Sequence, residues 1–257
     1  MNEKTETRNM ALFCDFENVA LGVRDEKYAA FDIQKVLERL LLKGSIVVKK
    51  AYCDWDRYKE FKAAMHEAAF ELIEIPHVRQ SGKNSADIRM VVDALDLCYT
   101  KSHVDTFVII SGDSDFSPLV SKLRENDKVV IGVGVKSSTS DLLIANCDDF
   151  IFYDDLVRES GRPRRGQRKS QARKAGKKST LKTEDDKQQD ALDLVVETVE
   201  ALLKERGEQE KVWGSMVKQT LKRRRPGFNE TYHGFRNFGQ LLEEAQSRNL
   251  LDLQLDE

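Results

Sequence analysis

Over the first 157 residues, short apolar runs rich in β-branched and aromatic side chains alternate with stretches whose apolar residues recur every three or four positions. The runs predict strands over 11–15, 45–53, 71–76, 106–111, 128–135 and 150–153. The periodic stretches predict helices over 31–42, 57–70, 86–99, 118–126 and 138–145. In the first of these, Ile33, Val36, Leu37, Leu40 and Leu41 fall on one helical face, and Gly44 follows as a stop. Strands alternating with helices imply an α/β fold, a parallel sheet sandwiched by helices. Right-handed crossovers would then bring every strand's C-terminal end to one rim, where ligands bind in open α/β folds.

The pattern changes after residue 157. Residues 158–183 are Arg, Lys, Ser, Gln and Gly with almost no apolar side chains, too few to bury a core. Periodicity resumes with Leu192, Val195, Val196, Val199 and Leu202 on one stripe ending near Gly207, then helices over 213–221 and 232–247. Asn229 is a candidate N-cap, and Phe235, Phe238, Leu241, Leu242 and Ala245 are expected to face inward. Residues 250–255 alternate like a strand. Three helices and a terminal β element predict a small winged helix-turn-helix domain, whose third helix commonly lies against nucleic acid. The expected organisation is a domain over 8–157, a basic flexible linker over 158–185 and a second domain over 186–257.

Charge sharpens this division. The net charge of −2 conceals 20 Lys and Arg against 27 Asp and Glu in residues 1–157, 11 against 1 in 158–183, and 11 against 16 beyond. A cationic strap between two acidic lobes suits a polyanionic partner, because neutralising phosphates releases condensed counterions. Hydrophobic residues make up 40%, with no stretch approaching the roughly 20 apolar residues of a membrane span. Residues 1–10 lack the apolar core of a secretory signal. Cys14, Cys53, Cys98 and Cys147 lie inside apolar runs without a Cys-x-x-Cys pair, so they read as reduced core residues of a cytoplasmic protein.

The candidate chemistry is acidic. Asp15 and Glu17 leave the first strand in Cys14-Asp15-Phe16-Glu17-Asn18; Asp113 and Asp115 leave the fourth in Ser111-Gly112-Asp113-Ser114-Asp115-Phe116. Asp87 opens the helix that follows Asn84 and could add a fourth carboxylate. A single aspartate at a strand end ordinarily caps the next helix, but two such runs directly after apolar strands of one lobe point to a shared site. If the two strands are neighbours, the carboxylates converge and repel unless a cation is present. Hard oxygen ligands suit Mg2+ or Mn2+ at about 2.0 to 2.1 Å. One ion would activate a water in line with a phosphate and a second, roughly 4 Å away, would steady the leaving oxygen. His66, His77, His103 and His233 are scattered and receive no catalytic role.

These two segments, with Ser85-Ala86-Asp87, resemble the motifs of NYN domains, the LabA-like branch of the PIN-like nucleases, over about residues 10–156. The resemblance implies metal-dependent ribonuclease activity, with Asp15, Asp87, Asp113 and Asp115 as metal ligands and Asn18 orienting Asp15 or contacting phosphate. Ser111 and Ser138 would support the site. The segments Trp213-Gly214-Ser215-Met216-Val217-Lys218 and 225–238 are similar to the OST-HTH or LOTUS domain, which implies a winged helix that binds RNA or, in some members, a protein partner. From the residues themselves, Lys218, Lys222, Arg223, Arg224, Arg225 and Arg236 beside Tyr232 and His233 combine backbone contact with base stacking.

The leading expectation is thus an endoribonuclease that holds RNA through its second domain and linker and cuts it at the acidic rim. Two other classes compete: a catalytically silent RNA-binding adaptor that uses the first lobe as a scaffold, and a DNA-binding winged helix.

Overall fold

The structure is a computed structural model that describes residues 8–26, 28, 30–75, 84–160, 184–207 and 211–254. Its residues divide into two compact units, before and after position 162. Most of the expected basic linker, 161–183, lies outside the described residues.

Six strands form the sheet of the first unit: β1 (Arg8–Asp15), β2 (Gly44–Cys53), β3 (Glu71–Glu74), β4 (Thr106–Ile110), β5 (Val129–Gly134) and β6 (Asp149–Phe152). All pairings are parallel, in the order β3-β2-β1-β4-β5-β6. The helices are α1 (Phe16–Asp25), α2 (Ile33–Lys43), α3 (Lys59–Glu67), α4 (Ser85–Thr100), α5 (Ser117–Glu125), α6 (Asp141–Asn146) and α7 (Tyr153–Ser160). This is the expected α/β fold, a parallel sheet flanked by helices.

Alternation along a strand sends its side chains to both faces. On β1, Met10, Leu12 and Cys14 join one core cluster while Ala11 and Phe13 join the other. All five are fully buried, so β1 is apolar along its length, as a strand covered on both faces must be. Phe13 stacks on Phe107 of β4 with ring centroids 6.0 Å apart.

Two helices were not legible from periodicity. In α1 the inward positions are Phe16, Val19, Gly22 and Val23, and Gly22 breaks the apolar stripe. A Cβ there would meet Ser138 Oγ at 2.4 Å, so the close approach requires glycine. In α7, Tyr153 and Leu156 are buried, too few positions to reveal a period.

The second unit contains α8 (Glu184–Arg206), α9 (Gly214–Arg224) and α10 (Phe238–Ser247) around Leu192, Val195, Leu221, Phe235 and Leu241. The helix expected over 232–247 is interrupted. Residues Glu230–His233 form a 3-10 turn capped by Asn229, and Gly234 at φ +85° ends it. Asn237 then caps α10 by accepting from Gln240 N–H. Residues 250–254 form no strand, because Leu250 and Leu253 remain exposed and pair with no neighbouring backbone ladder. Residue 255 lies outside the described residues.

Replacing Leu12 with Ala in the buried centre of β1 should cost about 2 to 5 kcal/mol, whereas Ile88→Ala, at a side chain 62% exposed, should cost under about 0.5 kcal/mol. Urea unfolding followed by circular dichroism distinguishes the two.

Candidate active site

The chain moves from β1 outward to β2 and β3, then returns to lay β4 against the other side of β1. The connections leaving β1 and β4 therefore diverge, which opens a crevice at the C-terminal ends of these two strands. Both acidic segments exit there. Cys14 pairs with Ile110 at the end of the ladder, so Asp15 and Ser111 leave the sheet side by side.

Asp15 ends β1 and caps α1. One carboxyl oxygen accepts from Asn18 N–H at 3.3 Å, and the other accepts from the Ser111 hydroxyl at 3.0 Å. Ser111 is fully buried, and its Oγ also accepts from Asp113 N–H at 3.2 Å. The Asn18 side chain reaches the second strand's exit, its Oδ1 accepting from Gly112 N–H at 2.9 Å. Asn18 therefore binds Asp15 through its backbone and Gly112 through its side chain, stitching the two loops together. Asp113 Oδ1 accepts from Asp115 N–H at 2.9 Å and so shapes the turn into α5.

The turn after β5 braces this arrangement from above. A Cβ on Gly112 would fall 2.4 Å from Ser138 O, and Ser140 N–H donates to Gly112 O at 2.9 Å. Ser138 thus supports the site by packing on Gly112 and Gly22.

Asp15 is 8% exposed. Burial first, then the charges of Asp87 and Asp113, push its carboxyl up to about 7, against the opposing hydrogen bonds from Ser111 and Asn18. Asp87, half-buried in the first turn of α4, is also raised, by burial and then by Asp113, Asp115 and Glu17. Asp113 is half-buried and Asp115 exposed. The four sequence-predicted carboxylates share one electrostatic neighbourhood, and Glu17 belongs to it as well. Glu17 pairs with Arg57 at 3.1 Å. Its place two residues after Asp15 was a readable signal, whereas a partner 40 residues away left none.

Among the described residues no group of three or more His, Cys, Asp or Glu side chains is arranged to hold a metal ion. The donor chemistry fits a hard divalent cation even so: the groups are all carboxylate oxygens, and burial together with the neighbouring acids raises the Asp15 carboxyl to about 7.

The candidate nucleic-acid residues of the second unit differ in availability. Lys222, Arg225, Tyr232 and Arg236 are exposed, and Lys187 Nζ lies 4.9 Å from the Tyr232 ring centre. Lys218 pairs with Glu230 at 2.9 Å, and Arg224 with Glu197 at 3.2 Å. Arg223 is half-buried and donates to Thr220 Oγ1. His233 Nδ1 lies 2.7 Å from Lys187 O while its ring stacks on Phe228, so it helps hold the unit together.

Residues 9–154 match the NYN domain family. An uncharacterized protein of Methanocaldococcus jannaschii is 28% identical over 121 residues, 47% of each chain. The chain thus spans about half the length of the curated relative it matches. A crystal structure of a protein of unknown function from Vibrio parahaemolyticus superposes with TM-score 0.53 and 26% identity, covering 60% of this chain and 98% of that one.

The Asp15 environment predicts a pH-dependent stability. Its folded pKa, about 7, lies above the ordinary carboxylate range, so the folded chain holds this proton more tightly than the unfolded chain. The resulting stabilisation is full at acidic pH and is lost as pH rises through about 7. Asp15→Asn should remove that loss. Thermal unfolding at pH 8 should show the variant more stable by on the order of 4 kcal/mol, at about 1.4 kcal/mol per pKa unit, and the advantage should shrink steadily toward pH 4.

Proposed function

The chain belongs to the NYN domain family of the PIN-like nuclease superfamily, and on that premise we propose that it is a metal-dependent endoribonuclease whose second unit binds RNA as an OST-HTH-like module. One observation carries the reading: a buried aspartate at the sheet's switch point, surrounded by the fields of Asp87 and Asp113. Such an arrangement is costly for a scaffold and useful for phosphodiester hydrolysis.

In this reading Asp15, Asp87, Asp113 and Asp115 hold Mg2+ or Mn2+, which when bound supplies Lewis acidity and a water nucleophilic at neutral pH. The remaining work belongs to the chain. Ser111 and the Asn18 N–H fix both oxygens of Asp15. Asn18 and Ser140 hold the Gly112 backbone, which keeps Asp113 in register with Asp15. The turn at 136–140 packs over that loop and limits its motion.

RNA contact is assigned to the exposed Lys222, Arg225, Tyr232 and Arg236, with Tyr232 offering a face for base stacking. Lys218, Arg223, Arg224 and His233 stand behind them in structural contacts. The basic run at 158–183 adds sequence-independent attraction for phosphates.

Two measurements test the division of labour. In a cleavage assay on a mixed panel of labelled RNAs with Mn2+, Mg2+ or EDTA, metal-dependent cutting should fall by at least about a hundredfold in Asp113→Asn, with RNA affinity retained. RNA that binds but is never cut by either protein would favour the silent adaptor. In gel-shift titrations, Tyr232→Ala combined with Arg225→Ala should weaken RNA binding by about tenfold or more. Tighter binding to duplex DNA than to RNA at matched salt would move the second unit to the DNA-binding class.

A further inference from the structure

A cavity of about 380 Å3 opens between α1 and α3, lined by Arg24, Tyr28, Phe31, Arg57, Tyr58 and Phe61 among others. We propose that it seats one nucleobase of the RNA strand, beside the nucleotide that would be cut, with Arg57 meeting the neighbouring phosphate. The proposal deepens the nuclease reading and rests on it for the path of the strand.

Four observations support this occupant. The volume lies within the roughly 300 to 1,000 Å3 typical of small-ligand sites. The walls offer aromatic faces: Tyr58 and Phe61 are only half-buried, and both pack edge-on or tilted against Phe16, at 5.6 and 5.1 Å between ring centres. Aromatic faces held this way accept any base by stacking. Phe16 directly follows Asp15, so the ring backing the cavity is fixed by the same turn that sets the buried carboxyl.

Two arginines, Arg24 and Arg57, line the cavity together with Glu60. Arg57 is held by Glu17 at 3.1 Å, and Glu17 acts electrostatically on Asp87. That ion pair joins the cavity to the acidic rim. Arg24 stands near the other end of α1, seven residues from Glu17, or roughly 10 Å at 1.5 Å per residue. The rim and the cavity thus share α1, with Glu17 at the rim end and Arg24 in the cavity lining.

The far wall is also fixed in place. Tyr28 donates to Asp154 Oδ1 at 2.9 Å, and Asp154 Oδ2 accepts from Lys136 N–H at 2.8 Å. The Tyr153 hydroxyl accepts from Asp32 N–H at 2.8 Å. Lys136 opens the turn that packs on Gly112, so one hydrogen-bonded path connects the cavity wall to the loop carrying Asp113. An aromatic slot with arginines in its lining and a hydrogen-bonded wall suits a base attached to a phosphate better than a purely apolar ligand.

The test uses the full chain in EDTA and an oligoribonucleotide carrying one photoreactive 4-thiouridine at varied positions, with crosslinked peptides mapped by mass spectrometry. The expected crosslink falls on Tyr28, Tyr58 or Phe61 and drops about tenfold in Tyr58→Leu and by a smaller factor in Arg57→Gln. Phe61→Leu replaces Tyr58→Leu if the latter does not fold. Crosslinks confined to other sites, or a cavity crosslink unchanged in the aromatic variant, overturn the proposal. The same proteins are assayed for cleavage with Mn2+. RNA cut normally without a cavity crosslink rejects the base seat and leaves the nuclease reading intact. A cavity crosslink lost in Tyr58→Leu, from a chain that cuts nothing, retains the seat and rejects the nuclease.

Discussion

Asp15 is buried where the innermost strand leaves the sheet, and the other features of the site depend on how that carboxyl is accommodated. Its position follows from strand order: β1 lies between β2 and β4, so its end is covered on both sides. Burial and the nearby acids disfavour its charge, and only two hydrogen bonds oppose them. Ser111, Asn18 and Gly112 exist in their observed arrangement to hold that group. The close contacts of Ser138 with Gly112 and Gly22 show how little room the supporting backbone has. Folding supplies the free energy that keeps these acids together, because sheet formation and two apolar cores fix the strand ends wherever their charges would prefer to be.

Much of this was legible in the chain. The strands were readable because β-branched and aromatic residues gather in uninterrupted runs such as 106–110, and the acidic motifs were readable because each begins where a run stops. The adjacency of β1 and β4 stood as a condition in the sequence and is met in the sheet. What periodicity could not reveal depended on contacts distant in sequence. The face of α1 contains Gly22, which packs against Val135 and Ser138 of the turn after β5. Arg57 finds Glu17 across 40 residues. The supporting geometry of Ser138 arises through backbone contact, for which a side-chain pattern gives no cue.

The second unit shows a different limit. Of its expected inward residues, Phe235, Phe238, Leu241 and Ala245 are buried, and Leu242 packs partly buried against them. The break at Gly234 was not legible, since a helical stripe runs on through a 3-10 turn with little change in apolar spacing. Its consequence is chemical: the turn presents Tyr232 outward, 64% exposed, while drawing His233 inward onto Phe228. Ion pairs divide the cations near this turn: Lys218 is held by Glu230 and Arg224 by Glu197, while Lys222 and Arg225 are exposed.

Whether these crowded carboxylates hold a divalent cation, as proposed, is tested most directly by calorimetric titration of the metal-free chain with Mn2+ at pH 6 in two buffers of different ionisation enthalpy. Saturable binding with release of close to one proton is expected, because Asp15 holds its proton below about 7 and must give it up to coordinate. Affinity should weaken as pH falls further, and Asp15→Asn should abolish the proton release. No binding at all, or binding whose heat does not depend on the buffer, would rule the metal site out.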